Sequence, residues 1–218
     1  MVMTNEELVE SLIEGGHLKT PAVIEAFRKV DRATFAPERE KPHAYENRPL
    51  ALPAGQTISQ PLTVAFMLEL LEPKRGEKIL DIGAGSGWQT ALLAELVGNP
   101  LREPADGGGK IIAVERIEEL WAFAATNLTN AGFMESGAVK LVHGDASEGY
   151  ASEAPYDKIV AAAAGAVIPE AWKGQLKVGG RIIAPVGEAI VVLDKTGPEE
   201  FEERKFHGFR FVPLVSNR

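Results

Sequence analysis

The sequence predicts an α/β fold, in which N-terminal helices precede a doubly wound, mostly parallel sheet with an antiparallel C-terminal edge. Three observations predict it. Apolar strand segments alternate with helical segments from Lys78 onwards, a glycine-rich turn follows the first of these strands, and the last strands lack intervening helices. Strands that alternate with helices form parallel sheets covered on both faces, whereas strands joined directly pair antiparallel.

Two short helices are predicted at the N-terminus. Thr4 and Glu7 form a Thr-x-x-Glu capping box, and the glycines at 15–16 end the helix that follows. Thr20 precedes a proline, the pattern of an N-cap with proline at the first helical position, and this predicts a second helix to about residue 30. Residues 31–60 contain four prolines and are expected to be irregular, and a loop of that length in a compact domain is typical of a functional segment.

The remaining elements follow in chain order from hydrophobic periodicity and turn residues. The Pro- and Gly-rich segment 99–110 is expected to form a flexible surface loop, and segment 199–205 a solvated edge strand or a turn. Helices are predicted at 60–71, 88–98, 117–132 and 169–176, and strands at 78–83, 110–115, 138–145, 156–164, 179–187, 189–195 and 206–215.

Composition and charge exclude several classes of protein. The chain has 218 residues, 45% of them hydrophobic, a net charge of −8 and no cysteine. A negative chain is a poor general coat for nucleic acid, and without cysteine there is neither a disulfide nor a thiolate site. The acidic N-terminus lacks the layout of a signal peptide, and no apolar run approaches the roughly 18 residues of a membrane span. We expect a soluble, cytoplasmic monomer without nucleic-acid or membrane partners, and the scattered histidines predict no metal site.

The segment from Asp81 to Gly87 carries the main functional signal. Asp81 ends an apolar stretch, and Gly83, Gly85 and Gly87 follow it. A glycine turn between a strand and a helix lets a ligand approach the backbone and directs helix N-terminal amides towards it. The dinucleotide fingerprint would place its third glycine at position 88, where Trp88 stands, so this spacing departs from that of pyrophosphate binding.

Two further acids end the next two predicted strands. Glu115 is placed to accept hydrogen bonds from both hydroxyls of a ribose, and the loop at 99–110 accounts for its distance from the glycines. Asp145 is placed to bond an adenine amino group or to hold a neighbouring loop. Three acids around a glycine turn favour a ligand that carries a ribose and cationic groups, such as S-adenosylmethionine. The alternative is that these acids are only helix caps.

Seven segments, which include "GQTISQP" at 55–61 and "RFVPLV" at 210–215, occur in an order that resembles the protein-L-isoaspartate O-methyltransferase family. The resemblance implies one Rossmann-like methyltransferase domain over residues 1–218. Within it, residues 1–75 would form the N-terminal helices and active-site loop, and residues 76–218 the cofactor-binding core. It further implies that S-adenosylmethionine donates a methyl group to the α-carboxyl of L-isoaspartyl residues in damaged proteins, the first step of their repair. The segments are 30–38, 44–61, 79–98, 115–120, 144–160, 175–187 and 210–215.

The resemblance also assigns site residues. Ser59 matches the family's active-site serine, and we expect it to orient the acceptor carboxylate as a hydrogen-bond donor rather than to act as a covalent nucleophile. The alternative for Ser59 is a helix N-cap. The cofactor-binding residues implied are Gln56, Thr57, Ile58, Ser59, Asp81, Gly83, Gly85, Gly87, Glu115, Arg116, Asp145 and Ala146.

Substrate binding is implied at Ala163, Ala164, Val212 and Leu214, where a peptide is expected to add along an exposed backbone edge. The alternative is a buried strand of small side chains. The chain departs from the family pattern at 52–55 and at 164–166, and both departures lie near the expected substrate. They leave open a methyltransferase of the same lineage that acts on another carboxylate or peptide, and a module that binds the cofactor without catalysis.

Overall fold

A computed structural model describes residues 3–98 and 108–215, so most of the loop expected at 99–110 lies outside the described residues. The helices are α1 (Asn5–Glu14), α2 (Pro21–Lys29), α3 (Pro61–Leu71), α4 (Trp88–Val97), α5 (Glu118–Asn130) and α6 (Glu170–Gln175). The strands are β1 (Leu50–Ala51), β2 (Thr57–Ile58), β3 (Lys78–Ile82), β4 (Lys110–Glu115), β5 (Val139–His143), β6 (Tyr156–Ala161), β7 (Leu176–Val186), β8 (Ala189–Lys195) and β9 (Phe201–His207).

The main sheet has seven strands in the order β5-β4-β3-β6-β7-β8-β9. The pairs from β5 through to β7 are parallel, and β8 pairs antiparallel with both β7 and β9. Most residues of β3, β4 and β6 are buried, because helices cover both faces of the sheet. The predicted α/β class and its antiparallel edge are confirmed. Parallel strands of this kind bring their carboxyl ends to one side of the sheet.

The C-terminal edge differs from the prediction in its residues. The edge strand is β9, which includes most of the charged segment 199–205, whereas the strand expected at 206–215 is wrong beyond His207. After β9 the amides of Gly208 and Phe209 donate to the carbonyl of Glu188, and the chain leaves the sheet. The apolar run at 211–215 suits a buried strand, but this segment packs over the carboxyl ends of the parallel strands instead.

The segment 31–60 has more regular structure than predicted. It contains 3₁₀ turns at Arg32–Phe35, Glu38–His43 and Pro53–Gly55, and β1 and β2 form a small antiparallel hairpin. At the tip of this hairpin Ala54 has φ of 55°, a left-handed conformation that costs an L-residue about 1–2 kcal/mol. Two-residue strands give almost no periodicity, so the pattern could not reveal them.

The N-terminal helices join the main hydrophobic core. Thr4 accepts a hydrogen bond from the Glu7 amide and the Glu7 carboxylate accepts one from the Thr4 amide, so the predicted capping box is confirmed. Leu8 and Phe27 belong to the same buried cluster as Leu92 and Ile111. Within the described ranges, no helix has the length and apolar character needed to cross a membrane.

Candidate active site

Two cavities meet at the carboxyl ends of the parallel strands. The smaller, here called the inner cleft, has a volume of about 90 Å³ and lies where β3 separates β4 from β6. This is the topological switch point at which open α/β sheets bind ligands. The predicted residues that line it are Gln56, Thr57, Gly83, Gly85, Glu115, Arg116, Asp145, Ala146, Ala163, Val212 and Leu214.

The glycine turn between β3 and α4 forms the floor of the inner cleft. Gly85 has φ of 57° and Gly87 has φ of 87°, a region that side chains rarely adopt. A Cβ on Gly87 would also lie 3.0 Å from Cγ of Leu128. Gly87 does not line the cleft, so its part in the turn is to allow the chain to enter α4 beneath α5. The β1–β2 hairpin lies over the turn, since a Cβ on Gly85 would be 3.8 Å from Leu52.

Glu115 joins the glycine turn to the start of α5. Its Oε2 accepts a hydrogen bond of 3.0 Å from the Gly85 amide, and its Oε1 accepts one of 2.9 Å from the Ile117 amide. The residue is 5% exposed, and each carboxylate oxygen has a further lone pair. Glu115 therefore orders the turn and still offers acceptors to a ligand with paired hydroxyls.

Asp145 and the first turn of α5 form the opposite wall. Asp145 accepts a hydrogen bond of 2.8 Å from the Ser147 amide, which fixes the turn after β5. Ile117 and Leu120 add an apolar surface that the sequence analysis missed. They are three residues apart at the start of a helix, and this spacing, together with Glu115 just before them, is the signal that could have found them.

Asp81 does not line the inner cleft. Its side chain is fully buried behind the glycine turn, where it accepts hydrogen bonds of 2.9 Å from Gln89 and 2.6 Å from Thr90. Burial raises the pKa of the Asp81 carboxyl to about 6, because an ionised carboxylate is costly away from water. The expectation that this acid faces a ligand is not met, since the carboxyl ties the first turn of α4 to β3.

The larger space, here called the outer cavity, has a volume of about 710 Å³. Ser59 lines it and not the inner cleft. The N-cap of α3 is Gln60, and the Leu62 amide in the first turn donates to Oδ1 of Asn47 rather than to Ser59, so the alternative role of Ser59 as a helix cap is wrong. The other residues that line the outer cavity are Pro49, Thr57, Gln60, Leu62, Thr63, Ala162, Glu188, Gly208, Phe209, Arg210, Phe211 and Val212.

Ile58 lines neither cavity. It is 4% exposed and pairs with Leu50 across the β1–β2 hairpin, so its side chain belongs to the hydrophobic core. The expectation that it covers the cofactor is therefore corrected. Because successive side chains of a strand point to opposite faces, Thr57 faces the cavities when Ile58 faces the core.

The backbone edge expected to receive a peptide is already occupied at Ala164. The Ala164 amide donates to the carbonyl of Val212 and the Leu214 amide donates to the carbonyl of Ala164, each at 2.8 Å. On its other side the Gly165 amide donates to the carbonyl of Pro185. The substrate edge predicted at Ala164 is therefore wrong, because the two segments proposed to hold the peptide pair with each other. Because Pro185 belongs to β7, the hydrogen bond from Gly165 joins segment 164–165 to the main sheet.

Thr57, Ala162 and Val212 line both cavities and form the wall between them. The inner cleft supplies acidic acceptors and an apolar surface, and the outer cavity supplies the Ser59 hydroxyl. At the mouth of the outer cavity Arg210 and Glu188 approach to 3.7 Å. Among the described residues, no group of three or more histidine, aspartate or glutamate side chains is arranged to hold a metal ion.

Known proteins match nearly the whole length of this chain. The family model "Protein-L-isoaspartate(D-aspartate) O-methyltransferase" matches residues 3–218. The protein-L-isoaspartate O-methyltransferase of Methanopyrus kandleri is 42% identical over 214 residues, which cover 96% of this chain and 90% of that protein. The enzyme of the same name from Aeropyrum pernix is 42% identical over 212 residues, which cover 95% and 78%.

A solved structure gives the same fold. It is a Plasmodium falciparum chain described as a protein-L-isoaspartate O-methyltransferase in complex with S-adenosyl-L-homocysteine. The TM-score is 0.87 with 23% identity, and the match covers 99% of this chain and 100% of that one. At this identity the likeness establishes the fold alone.

Proposed function

The chain belongs to the protein-L-isoaspartate O-methyltransferase family, and we propose that it transfers a methyl group from S-adenosylmethionine to the α-carboxyl of L-isoaspartyl residues in damaged proteins. The resulting ester begins the return of the damaged residue to aspartate. One observation carries the proposal. The inner cleft and the outer cavity share the wall formed by Thr57, Ala162 and Val212, so a donor in one can meet an acceptor in the other.

The residues of the inner cleft fit S-adenosylmethionine in their chemistry. Glu115 offers two carboxylate oxygens for ribose hydroxyls, Asp145 offers an acceptor for an adenine amino group, and Ile117 and Leu120 offer an apolar surface for the ring. The cleft volume of about 90 Å³ is smaller than the roughly 300–1,000 Å³ of ligand pockets. We propose that segments 56–57 and 212–215, which line the cleft, move outwards when the cofactor enters.

The chemistry needs alignment more than proton transfer. When bound, S-adenosylmethionine supplies an electrophilic methyl group on a sulfonium. A carboxylate is ionised at pH 7 and attacks without a base. We assign to Ser59 the hydrogen bond that holds this carboxylate in line with the methyl group. Ser59 suits this role because its hydroxyl makes no hydrogen bond with other described residues and lines the outer cavity.

Methyl transfer to matched peptides tests the proposal. A short L-isoaspartyl peptide and its normal aspartyl twin are incubated with the protein and labelled S-adenosylmethionine, and only the isoaspartyl peptide is expected to gain label. Ser59→Ala should lower kcat far more than it changes the Kd of S-adenosylhomocysteine. Ser11→Ala, on the outer side of α1, is the matched control and should change neither.

The same assay separates the alternatives. Label on neither peptide, with cofactor binding retained, would overturn the isoaspartyl assignment. A subsequent search for labelled acceptors in a cell lysate would then distinguish another carboxylate substrate from a non-catalytic binding module. If kcat and cofactor affinity fell together in Ser59→Ala, the orienting role of Ser59 would be wrong.

We also propose that residues 1–218 act as one domain, as a monomer in the cytoplasm, with neither nucleic acid nor membranes as partners. The shared core of the N-terminal helices and the sheet supports the single domain. The net charge of −8 supports the exclusion of nucleic acid.

A further inference from the structure

Arg32 is a fully buried cation beside the proposed site, and it contacts neither cavity. It lies in the 3₁₀ turn Arg32–Phe35 and is 0% exposed. No carboxylate lies within ion-pair distance of it in the described part of the chain. Burial, and secondarily the charge of Arg48, lower its pKa to about 9, so the guanidinium remains charged at pH 7. A buried charge of this kind needs compensation from other polar groups.

Backbone carbonyls provide that compensation, and all of them belong to the segment that carries Ser59. Nη1 donates to the carbonyls of Ala44 at 2.8 Å and Glu46 at 3.3 Å. Nη2 donates to the carbonyls of Arg48 and Ser59, both at 3.0 Å. One side chain thus holds four points of the chain between residues 44 and 59, the last of them at Ser59 itself.

The same guanidinium also contacts the residue that follows the glycine turn. It lies over the ring of Trp88, 5.1 Å from the ring centroid. Trp88 is the first residue of α4 and follows Gly87 of the glycine turn. Its own position is fixed, since its indole donates to the carbonyl of Val30 and its ring packs edge-on against Phe27.

We propose that Arg32 is a positioning residue that fixes the separation between Ser59 and the glycine turn. This inference rests on the proposed function, in which Ser59 orients the acceptor and the glycine turn lies beneath the methyl donor. Transfer in line between two bound groups is sensitive to small displacements, and a shift of about 1 Å can cost roughly 100-fold in rate. Arg32 touches neither substrate, so it acts through the backbone of Ser59.

The planar fork of arginine is what the arrangement requires. Two Nη atoms reach four carbonyls, while the central carbon of the same group lies over the ring of Trp88. Lysine carries the same charge on a single nitrogen with three donors, so Arg32→Lys keeps the charge but loses the fork. Lys195→Met is the matched control. Lys195 is also buried and donates to two carbonyls, those of Lys173 and Leu176, at the end of β8 remote from Glu188.

A double-mutant cycle on kcat tests the inference with the isoaspartyl peptide. Arg32→Lys should lower kcat by about 10- to 100-fold, with little change in the Kd of S-adenosylhomocysteine. In the Ser59→Ala background the same change should lower kcat by less than about threefold, because residues that act through one another are not additive. Lys195→Met should leave kcat unchanged. Additive losses, or an equal fall in Lys195→Met, would overturn the inference.

Hydrogen exchange supplies a readout that does not depend on activity. Amides between residues 44 and 60 should exchange faster in Arg32→Lys and should be unchanged in Lys195→Met, and equal protection in all three proteins would overturn the inference. If the wild-type protein methylates no isoaspartyl peptide, the proposed function is wrong. Hydrogen exchange of residues 44–60 would still test whether Arg32 holds this segment in place. Where Arg32→Lys does not fold, Trp88→Leu replaces it. Trp88→Leu should lower kcat by less than Arg32→Lys, and this loss should disappear when Ser59 is already alanine. Losses of kcat from Trp88→Leu and Ser59→Ala that simply add would contradict the inference.

Discussion

At the scale of single residues, Glu115 has two tasks that compete for the same atoms. Its two oxygens hold the amides of Gly85 and Ile117, and the proposed ribose must share them. A carboxylate can do this because it accepts about four hydrogen bonds. Neutral side chains of the same size cannot, so this position is expected to tolerate no substitution without loss of cofactor affinity.

Glu115→Ala should weaken the binding of S-adenosylhomocysteine by tenfold or more, because hydrogen bonds to a charged group contribute about 1.5–3 kcal/mol each. Calorimetric titration measures the change. Glu118→Ala is the control, since it removes an exposed carboxylate from the first turn of α5 outside the cleft. Equal affinity in the Glu115→Ala variant and wild type would refute the ribose assignment.

Asp81 makes a pH-dependent contribution whose sign follows from its environment. Its pKa is raised from 3.8 to about 6 in the folded protein, so between these values the folded state binds a proton that the unfolded state has lost. The contribution of Asp81 to the free energy of unfolding therefore falls as pH rises from about 4 to about 6, by up to about 3 kcal/mol.

Asp81→Asn should remove that fall. Urea unfolding at pH 4 and at pH 6 measures the change in the free energy of unfolding between the two pH values. This change should be more favourable to the folded state in the variant than in wild type. The sequence pattern located Asp81 but assigned its carboxylate to the ligand, since the rule that acids follow the strands of such sheets does not tell which carboxylate turns back into the fold. An equal change in the free energy of unfolding between pH 4 and pH 6 in both proteins would show that the pKa of Asp81 is not raised by folding.

At the scale of elements, the turn before α4 combines backbone and packing demands at Gly87. Any side chain there meets both a positive φ and Leu128. Gly76 has φ of 79° with no heavy atom within 4 Å of an added Cβ. Substitution of Gly76 therefore measures the cost of the backbone conformation alone, and substitution of Gly87 measures that cost together with the cost of steric crowding.

Gly76→Ala should lower the free energy of unfolding by about 1–2 kcal/mol, the cost of a left-handed residue. Gly87→Ala should lower it by about 1–3 kcal/mol more, because Leu128 must shift in a packed core. Urea denaturation of the two variants beside wild type gives both numbers. Equal losses of the free energy of unfolding in the two variants would mean that Leu128 of α5 moves to admit the added methyl group without cost.

The segment after β9 is held to α3 by aromatic rings. Phe209 stacks on Phe66 with ring centroids 5.0 Å apart, and Phe206 meets the same ring edge-on at 5.4 Å. Only Phe209 lines the outer cavity. The two residues thus share a packing partner but differ in access to the proposed acceptor.

Phe209→Ala should raise KM for the isoaspartyl peptide severalfold, whereas Phe206→Ala, with a comparable loss of ring contact of about 0.5–1.5 kcal/mol, should leave KM near wild type. Steady-state kinetics of both variants with one peptide settle the comparison. A similar KM in the two variants would place the peptide away from this wall.

Elements with strong local signals were predicted well, and elements held by distant contacts were not. The segments around "KILDI" and "KIIAVE" are continuous apolar runs that end in acids, and β3 and β4 follow them closely. The segment 208–215 is more apolar than β9, yet it leaves β8 and pairs with Ala164 at Pro213. No local pattern distinguishes these two partners, which is also why the substrate edge was misplaced.

At the scale of the whole molecule, the site is built from segments far apart in the chain. Residues near 57, 85, 115, 145, 162 and 212 converge on the two cavities. The glycine turn and the two acids facing the inner cleft could be predicted from the sequence, because the carboxyl ends of parallel strands lie at the same edge of the sheet. The closure of both cavities by 208–215 was not, since it depends on where the chain runs after leaving the sheet.

We expect the protein to be a monomer in solution. Light scattering after size-exclusion chromatography should give a mass near 23.5 kDa at concentrations used for the methyl-transfer assay. A mass that doubled with concentration, together with a matching rise in specific activity, would contradict the proposed monomer.

The strand order β5-β4-β3-β6-β7-β8-β9 bears on how the sheet is assembled. The first strand of this sheet to be synthesised is β3, which lies inside it, and β4 and β5 extend it on one side. β6 then pairs with the free edge of β3 on the other side, and β7, β8 and β9 each add to the outer edge of the strand before them. No strand has to be inserted between two that are already paired. The sheet can therefore grow in the order in which a ribosome releases it, which shortens the time that any unpaired edge is exposed to aggregation.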